Sequence, residues 1–461
     1  MVSQNHQRTP DDLSNRGRIR RNRPVPTALL IETSPSKTPY NLDMDADALY
    51  QDVFDKYAKY INPNLARLMG FAGFGIETYG EGCYIFDHEG RKYLDCLGGY
   101  GTFALGHRNP RVIAAIKDQL DHLGLSAKAF FTKNAADLAE KLAVLTPGDL
   151  QVSFFSNSGT EAVEAALKFA KASTKRSKIV STNGSYHGKT IGALSTTGRE
   201  KYRKKFEPLM PGVSFVDYGD IDALVGAIDD QTACFIVEPI QGEGGIIVAP
   251  DGYLAAARAA CDKHGALLIF DEVQSGLGRA GYMFACDYEG VAPDIMTLAK
   301  SLGGGIMPLG VTIFTMDIYE KVFGDNPMAH TSTFGGNPLA CRAGLVTLEI
   351  LEDGDLIANS RVLGLRMLEG FQAIQQRYPD LLKEVRGRGL MIGVEFTMDE
   401  VGEVMVASLM KLGVCVAYAL NNPRVLRFEP PLMITAEQVD FALACFEEGM
   451  AETAELLAVL A

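Results

Sequence analysis

The sequence predicts an α/β protein with a mostly parallel central sheet in a large domain, and two observations favour this fold class. Between residues 125 and 314, short and continuous apolar runs alternate with helical patterns. Such unbroken apolar runs are typical of strands that helices cover on both faces, and ligands of these sheets sit at the carboxyl ends of the strands. We expect strands at residues 152–155, 178–180, 234–237, 266–270, 295–298 and 310–314.

The two ends of the chain have different patterns and predict further parts. Residues 1–45 are polar and locally rich in arginine, so we expect a mobile tail, with an arm that docks on a partner subunit as the alternative. Residues 46–105 would contribute helices and short strands to a smaller α+β domain, and residues 106–335 would form the large domain. Residues 336–461 would complete the small domain with a long helix, three strands and a helix near the end of the chain.

Composition limits the classes of function. The chain has 461 residues, of which 44 are basic and 57 acidic, and its net charge of −13 argues against nucleic acid or an anionic membrane as partner. We expect a cytosolic protein, because no apolar run reaches the length of a membrane span and the first residues lack a signal-peptide core. The eight cysteines and seven histidines show no metal-ligand spacing, which predicts buried, reduced cysteines and no protein-bound metal.

One lysine lies in a distinctive position at the end of a predicted strand. Lys300 follows the run at 295–298 and precedes three glycines at 303–305, which would let the backbone pass close to a flat or bulky group. For an isolated lysine, an exposed strand end is the more common situation. The interpretation of Lys300 therefore depends on the other strand ends.

Polar residues follow two other predicted strands. Ser158, Gly159 and Thr160 open a helix whose free N–H groups can bind a phosphate, although a plain N-cap is an equally simple explanation. Asp271 follows a buried strand and therefore needs a partner, which could be a protonated pyridine nitrogen or a group of the protein itself. Since neighbouring parallel strands end at the same edge, Asp271 and Lys300 are expected to converge.

Two further strand ends carry weaker signals. Tyr186 follows the strand at 178–180 and can stack on a flat ring, although an aromatic residue in this position is more often part of the core. Glu238 and Glu243 lie among glycines after the strand at 234–237. That composition favours a loop shaped around a ligand over a solvated turn.

Together these motifs resemble the class III (omega) aminotransferases, which are enzymes of fold type I that use pyridoxal 5'-phosphate (PLP). The similarity runs from about Tyr79 to the C-terminus, and within the family the chain looks most like the putrescine (diamine) aminotransferases. The motifs that carry the resemblance to the family are Ser158-Gly-Thr160, Asp271-Glu-Val-Gln274, Ala299-Lys300 and His330-Thr-Ser-Thr-Phe-Gly-Gly-Asn-Pro338. The stretches that resemble the putrescine aminotransferases are Cys96-Leu-Gly-Gly-Tyr-Gly101, Gly106-His-Arg-Asn-Pro110, the loop that begins at Glu238, and Arg427-Phe-Glu-Pro-Pro431.

The resemblance implies a role for each matching residue. Lys300 would form the Schiff base with PLP, and Asp271 would bind the pyridine nitrogen. The other residues implied to bind the cofactor are Ser158, Gly159 and Thr160 at the phosphate, Tyr186 and Val273 on the two ring faces, Gln274 at the ring hydroxyl, and Thr333 at the phosphate of a neighbouring subunit. The last role implies a homodimer or a higher oligomer.

Substrate binding is implied for Tyr100, Lys189, Glu243 and Arg427. In relatives that act on amino acids, the residue that matches Arg427 binds the substrate carboxylate, and the acid that matches Glu243 covers this arginine when the other substrate is bound. His187 and Lys189 stand where ornithine-type relatives carry an aromatic residue and a second carboxylate-binding arginine. This departure weakens an assignment of ornithine specificity.

The reaction implied is the transfer of a terminal amino group from a diamine or omega-amino compound to a 2-oxo acid such as 2-oxoglutarate or pyruvate, by a ping-pong mechanism. The alternatives on the same fold are an aminomutase, a decarboxylating transaminase, and a transaminase that acts on an aldehyde in specialised biosynthesis. A non-catalytic binding module is a further alternative. The complete set Lys300, Asp271, Gln274 and Thr333 argues against it.

Overall fold

The computed structural model describes residues 45–71 and 73–460, without the side chains of residues 71 and 460. The predicted tail, residues 1–45, lies outside the described residues except for its last residue. The strands, numbered along the chain, are β1 (Glu77–Glu81), β2 (Tyr84–Asp87), β3 (Lys92–Asp95), β4 (Leu150–Ser156), β5 (Lys178–Thr182), β6 (Val213–Val216), β7 (Thr232–Val237), β8 (Ile240–Gln241), β9 (Ile247–Val248), β10 (Leu267–Asp271), β11 (Ile295–Leu298), β12 (Gly310–Thr315), β13 (Leu382–Arg388), β14 (Met391–Phe396), β15 (Val414–Cys415), β16 (Ala417–Ala419) and β17 (Asn422–Phe428).

Helices connect most of these strands. The α-helices are Ala46–Lys56, Pro63–Phe71, Pro110–His122, Lys133–Leu145, Gly159–Thr174, Ile191–Thr196, Glu200–Arg203, Ile221–Ala227, Tyr253–His264, Met316–Phe323, Pro338–Asp353, Leu356–Arg377, Asp399–Lys411 and Ala436–Leu460. Several of them begin as their sequences predict: Asn109 and Asn337 cap helices whose first residue is proline, and Ser158 caps the helix after β4.

A seven-stranded sheet forms the centre of the protein. Its strand order is β4-β12-β11-β10-β7-β5-β6, and only β12 runs antiparallel to its neighbours. All six strands expected in this region are present, so the prediction of a mostly parallel sheet is confirmed. We did not predict β6, whose four residues include a serine and follow Pro211 and Gly212.

The central strands are apolar throughout because helices cover both faces of the sheet. In β7, the side chains of Cys234 and Ile236 join the core beneath helix Gly159–Thr174, while Phe235 and Val237 join the core on the opposite face. This alternation of faces follows from the two-residue period of a strand. Burial on both faces thus explains why the strands appear in the sequence as unbroken apolar runs.

Two smaller sheets contain the remaining long-range strand pairs. One has the order β1-β2-β3-β15 and so joins strands from both ends of the described chain, and the other has the order β13-β14-β17-β16. The short strands expected within residues 46–105 are β1, β2 and β3, and a turn at Gly82, which has a φ of 57°, separates β1 from β2. The limits of the large and small domains at residues 105 and 335 remain a prediction.

Several expectations from composition concern the structure directly. Each of the eight cysteines is buried, as predicted. Within residues 45–71 and 73–460, no helix is long and apolar enough to cross a membrane. In the same part of the chain, no group of three or more histidine, cysteine or acidic side chains is arranged to hold a metal ion.

Phe446 provides a test of the C-terminal core. It is fully buried in the last helix, with its ring centroid 4.9 Å from that of Phe371, 5.9 Å from Phe428 and 6.3 Å from Phe396. We predict that Phe446→Ala lowers the free energy of unfolding by about 3–5 kcal/mol, because it leaves a cavity among these rings. Urea denaturation measures this change.

The control for this prediction lies on the same helix. Leu456 is 46% exposed, so Leu456→Ala should change the free energy of unfolding by less than about 0.5 kcal/mol. Equal destabilisation by the two substitutions would show that packing around Phe446 does not determine the effect.

Candidate active site

The carboxyl edge of the central sheet gathers the residues that follow β4, β5, β7, β10 and β11. Asp271, the last residue of β10, pairs in register with Thr297 of β11. Lys300 follows β11 by two residues, so the parallel register brings Asp271 and Lys300 to the same edge.

Lys300 begins a short 3-10 helix, Lys300–Gly303, and has a φ of 45°. Positive φ is uncommon for a residue with a side chain and marks a backbone that its surroundings constrain. The Lys300 Nζ donates a hydrogen bond of 2.7 Å to Oε1 of Gln274. Burial lowers the pKa of Lys300, while the nearby carboxylates of Glu429 and Glu243 oppose this change. A lowered pKa increases the fraction of neutral amine at physiological pH.

The glycines that follow Lys300 pack against the protein itself. A Cβ on Gly304 would lie 2.9 Å from Val112 Cγ1, and one on Gly305 would lie 2.8 Å from Phe103 Cδ1. The sequence suggested a close passage past a flat or bulky group, and the structure places the side chains of Val112 and Phe103 in that position. Both glycines also have positive φ, which any side chain would strain.

Asp271 is buried and has several hydrogen-bond partners in the protein. Its Oδ2 lies 2.8 Å from Nδ1 of His187, and its Oδ1 accepts hydrogen bonds of 3.2 Å from the Val273 amide and the Thr297 hydroxyl. His187 is also buried, and its Nε2 has no partner among the described residues. The protein thus holds the Asp271 carboxyl group in a fixed orientation at the strand end.

The helix after β4 presents its N-terminus to this edge. Ser158 caps it, because the Ser158 hydroxyl accepts a hydrogen bond of 3.3 Å from the Glu161 amide, and the N-cap alternative therefore holds. The first N–H groups of a helix have no intrahelical partner, so the cap does not exclude phosphate binding. Gly159 faces Val273 so closely that a Cβ on it would lie 2.9 Å from Val273 Cγ1, and the Thr160 hydroxyl lies 2.8 Å from that of Thr190.

Tyr186 is half-buried and is held through its backbone. Its amide donates a hydrogen bond of 2.8 Å to Oε1 of Glu238, and the Gly242 amide donates one of 3.1 Å to Oε2 of the same carboxyl group. Burial raises the pKa of Glu238 to about 7, although His187 and these two amides favour the ionised form. Glu238 therefore links the segment that contains Tyr186 to the loop that contains Glu243.

Arg427, in β17, forms a buried ion pair. Its Nη1 donates a hydrogen bond of 2.8 Å to Oε1 of Glu243, and Oε2 of Glu243 accepts one of 2.9 Å from the Leu420 amide. The Arg427 Cζ lies 4.9 Å from the centroid of the Tyr100 ring. Its Nε and Nη2 have no partner among the described residues. These two atoms form the edge of a guanidinium group that binds a carboxylate in a bidentate manner.

Tyr100 reaches Arg427 from an unusual turn. The four residues from Gly98 to Gly101 all have positive φ, between 56° and 88°, and Tyr100 is the only one with a side chain. The surrounding glycines therefore allow a left-handed turn that directs the Tyr100 ring towards Arg427. Burial raises the pKa of Tyr100, so its hydroxyl stays protonated.

Two residues implied in binding lie outside this hydrogen-bonded group. Lys189 is exposed, with its Nζ 5.0 Å from the ring centroid of Tyr202 and 5.9 Å from that of Tyr186. Thr333 is exposed and makes no side-chain hydrogen bond to the described residues. The single chain thus brings together the other residues predicted for the site but leaves Lys189 and Thr333 at its exposed surroundings.

Glu429 is fully buried in the site, and no role was predicted for it from the sequence. Both of its carboxylate oxygens accept hydrogen bonds from Nε2 of Gln274, at 2.8 and 3.0 Å. One signal was available in the sequence: Glu429 follows Arg427 by two residues, and residues two apart in an extended segment share a face. His187 was likewise named only for its departure from relatives, although it follows Tyr186 directly at a strand end.

The arrangement fits the chemistry of PLP. The helix that begins at Gly159 presents N–H groups without intrahelical partners, and this N-terminus suits a phosphate. The buried carboxyl group of Asp271 suits a protonated ring nitrogen, and the Lys300 amine suits a covalent bond to an aldehyde carbon. All three groups lie at one edge of the central sheet.

Comparisons with known proteins show the family of the chain. A family model described as aminotransferase class-III matches residues 74–450. The chain is similar to the ornithine aminotransferase from Toxoplasma gondii ME49, with 32% identity over 89% of this chain and 99% of that chain and a TM-score of 0.80. A Bacillus anthracis aminotransferase is 29% identical over 89% of this chain and 100% of that chain, with a TM-score of 0.82. An amine transaminase from an uncultivated Pseudomonas species in a PLP-bound form is 30% identical over 82% and 95%, with a TM-score of 0.76.

The raised pKa of Glu238 predicts a pH dependence of stability. The pKa of Glu238 is about 7 in the folded protein against 4.5 in the unfolded chain. Between pH 4.5 and about 7, the folded state therefore binds more protons than the unfolded chain. The stability of the protein consequently decreases as the pH rises through this range. The total change is up to about 3 kcal/mol. Glu238→Gln lacks this ionisation.

We therefore predict that the wild-type protein loses stability relative to Glu238→Gln as the pH rises from about 5 to 7, and that the difference is constant above that range. Denaturant unfolding of both proteins at a series of pH values measures it, and other titrating groups cancel in the difference. A difference that is independent of pH would contradict the raised pKa.

Proposed function

Because this chain belongs to the class III aminotransferases, which use PLP, we propose that it transfers the terminal amino group of a diamine such as putrescine, or of a related omega-amino compound, to a 2-oxo acid. Family membership confirms the fold type I architecture, the aminotransferase activity and the PLP cofactor that the sequence predicted. The choice of substrates, the roles of individual residues and the homodimer are parts of the proposal.

The observation that supports this choice of substrates is the ion pair between Arg427 and Glu243. A buried guanidinium group is costly unless a carboxylate neutralises it. While Glu243 supplies that carboxylate, the site would accept a donor without a carboxylate near Arg427. A diamine is such a donor, because it carries no carboxylate. The Nε and Nη2 edge of Arg427 then remains for the carboxylate of the 2-oxo acid.

Lys189 supports an acceptor with a second carboxylate. It is an exposed cation beside Tyr186 and Tyr202, in the segment where ornithine-type relatives carry an arginine. Its flexible chain would reach a distal carboxylate more readily than a fixed guanidinium group would. We therefore favour 2-oxoglutarate over pyruvate as the acceptor.

The residues of the chain would divide the chemistry among them. Bound PLP supplies an electron sink that stabilises negative charge at the substrate carbon next to the amine. Asp271 would accept the hydrogen bond of the ring nitrogen and keep it protonated, while Gly159 and Thr160 amides hold the phosphate. Lys300, with its lowered pKa, would remove the proton from the substrate carbon as a general base.

A homodimer would complete the site. Lys128, in the segment that contains the exposed Phe130 and Phe131, donates a hydrogen bond to the carbonyl oxygen of Gly335, close to Thr333. This contact joins the segment of Phe130 and Phe131 to the segment that contains the exposed Phe334. An exposed apolar surface of this kind is typical of a subunit interface. In the proposed dimer, Thr333 reaches the phosphate that the other subunit holds.

A panel of substrates tests the reaction. We predict that putrescine removes the visible absorbance of the PLP-loaded protein and that 2-oxoglutarate restores it, because the two half-reactions are separate in a ping-pong mechanism. Lys300→Ala should show no turnover, whereas Lys117→Ala, which changes an exposed lysine of helix Pro110–His122, should retain normal turnover.

Two outcomes would contradict the proposal. Turnover of an amine without any added 2-oxo acid would indicate an aminomutase, and substantial transamination by a correctly folded Lys300→Ala protein would remove the role of Lys300. A panel in which only aldehyde acceptors restore the absorbance would favour the alternative that acts on an aldehyde.

Arg427 and Glu243 allow the two half-reactions to be separated. Because Arg427→Gln alone leaves the buried Glu243 unpaired, the informative variant is the double substitution Arg427→Gln/Glu243→Gln. We predict that it slows the half-reaction with 2-oxoglutarate roughly 10- to 100-fold, through the loss of charge-assisted hydrogen bonds. The half-reaction with putrescine should change much less.

Rapid-mixing absorbance measurements of each half-reaction check this prediction, with Glu243→Gln alone as the matched control that keeps the arginine. Equal slowing of both half-reactions in the double variant would show that Arg427 supports the structure of the site and does not select the acceptor.

A further inference from the structure

Glu429 is a buried acid that the reaction described so far does not use. It directly follows β17, and its own amide donates a hydrogen bond of 2.7 Å to the carbonyl oxygen of Cys96. Its side chain is completely buried and reaches Gln274, which follows β10 in the central sheet. A carboxylate in such a place is costly and therefore calls for an explanation.

The hydrogen bonds of Glu429 fix the orientation of the Gln274 amide. A carboxylate only accepts hydrogen bonds, so the group of Gln274 that lies 2.8 and 3.0 Å from its two oxygens must be the NH₂ group. The carbonyl oxygen of the same amide then faces Lys300 Nζ, at 2.7 Å. Without an acceptor on that side, either orientation of the amide would be possible.

The surrounding backbone holds Glu429 in this position. A Cβ on Gly98 would overlap the carbonyl oxygen of Glu429, and one on Gly101 would lie 3.8 Å from its Oε1. Both glycines have positive φ, so the left-handed turn that carries Tyr100 also closes over Glu429. The acid is thus enclosed by the same turn that directs Tyr100 towards Arg427.

We propose that Glu429 is a positioning residue that acts through Gln274: it orients the Gln274 carbonyl oxygen towards the Lys300 nitrogen and, as a negative charge, helps to keep a proton on that nitrogen. The inference rests on the proposed role of Lys300 as the residue that binds PLP. It extends that role by naming the group that sets the protonation of the nitrogen in the resting enzyme.

Several charged groups face Lys300, and they shift the pKa of its nitrogen in opposite directions. Glu429, Glu243 and Asp271 favour the protonated nitrogen, whereas Arg427 and burial oppose it. Glu243 is itself paired with Arg427 at 2.8 Å, while Glu429 lies 3.8 Å from the same guanidinium group. Glu429 is therefore the carboxylate of this group that is joined to Lys300 through a single intervening side chain.

The test is an absorbance titration of the PLP-loaded protein. The visible absorbance changes with pH as the Lys300 nitrogen loses its proton, and the midpoint reports the pKa of that nitrogen. We predict that Glu429→Gln lowers this midpoint by about one pH unit, because a buried negative charge near the nitrogen is removed. Glu429→Asp, which keeps the charge but is too short to reach Gln274, should lower it by less.

A matched control removes another buried acid of the same region. Glu272 is buried and bonded to the Ser275 hydroxyl and the Cys286 amide, and it is not among the groups that shift the pKa of Lys300. Glu272→Gln should therefore leave the midpoint unchanged even if it alters stability. This comparison separates an effect on the Lys300 nitrogen from a general effect of removing buried charge.

The outcomes distinguish the inference from the function on which it rests. An unchanged midpoint in Glu429→Gln, or in Glu429→Asp if the first variant does not fold, would overturn the inference while leaving the role of Lys300 intact. If the absorbance of the wild-type protein persists in Lys300→Ala with the same midpoint, the titrating nitrogen is not that of Lys300 and the proposed function itself fails.

Discussion

The site depends on the requirement that buried charges be paired. Lys300, Asp271, Glu243, Arg427 and Glu429 all lie at or beside the carboxyl edge of the central sheet, and each has a charged or polar partner within hydrogen-bond distance. In a low-dielectric interior an unpaired charge costs several kcal/mol, so these side chains constrain one another. In the proposed function, the two ends of this charged group, the lysine and the guanidinium group, would bind the cofactor and a carboxylate substrate.

The fold brings these partners together from distant parts of the sequence. Parallel pairing of β10 and β11 brings Asp271 and Lys300 to one edge, whereas Arg427 and Glu429 come from β17 and the residue after it, in a different sheet. The amide of Gln274 joins the two sets. Packing of helices on both faces of the central sheet therefore supports the site, but hydrogen bonds between charged groups determine its geometry.

Elements that are buried on both faces were predictable from the sequence, because their apolar runs are unbroken. Strands with a mixed environment were not: β13, with the sequence Leu-Lys-Glu-Val-Arg-Gly-Arg, exposes charged side chains and has no clear apolar run. The residue types at strand ends indicated Asp271 and Lys300 only in combination with the other motifs, because each residue alone has an ordinary structural explanation. The contact between Glu429 and Gln274 spans 155 residues, and no local pattern predicts such a pairing.

The central claim is that Lys300 carries PLP, and reductive trapping tests it most directly. Borohydride treatment of the PLP-loaded protein makes the bond between cofactor and lysine permanent, and peptide mass spectrometry then locates the label. The account predicts that the label lies on the peptide that contains Lys300, and that excess putrescine added before the borohydride removes it. A label on another lysine, or one that putrescine does not remove, would contradict the account.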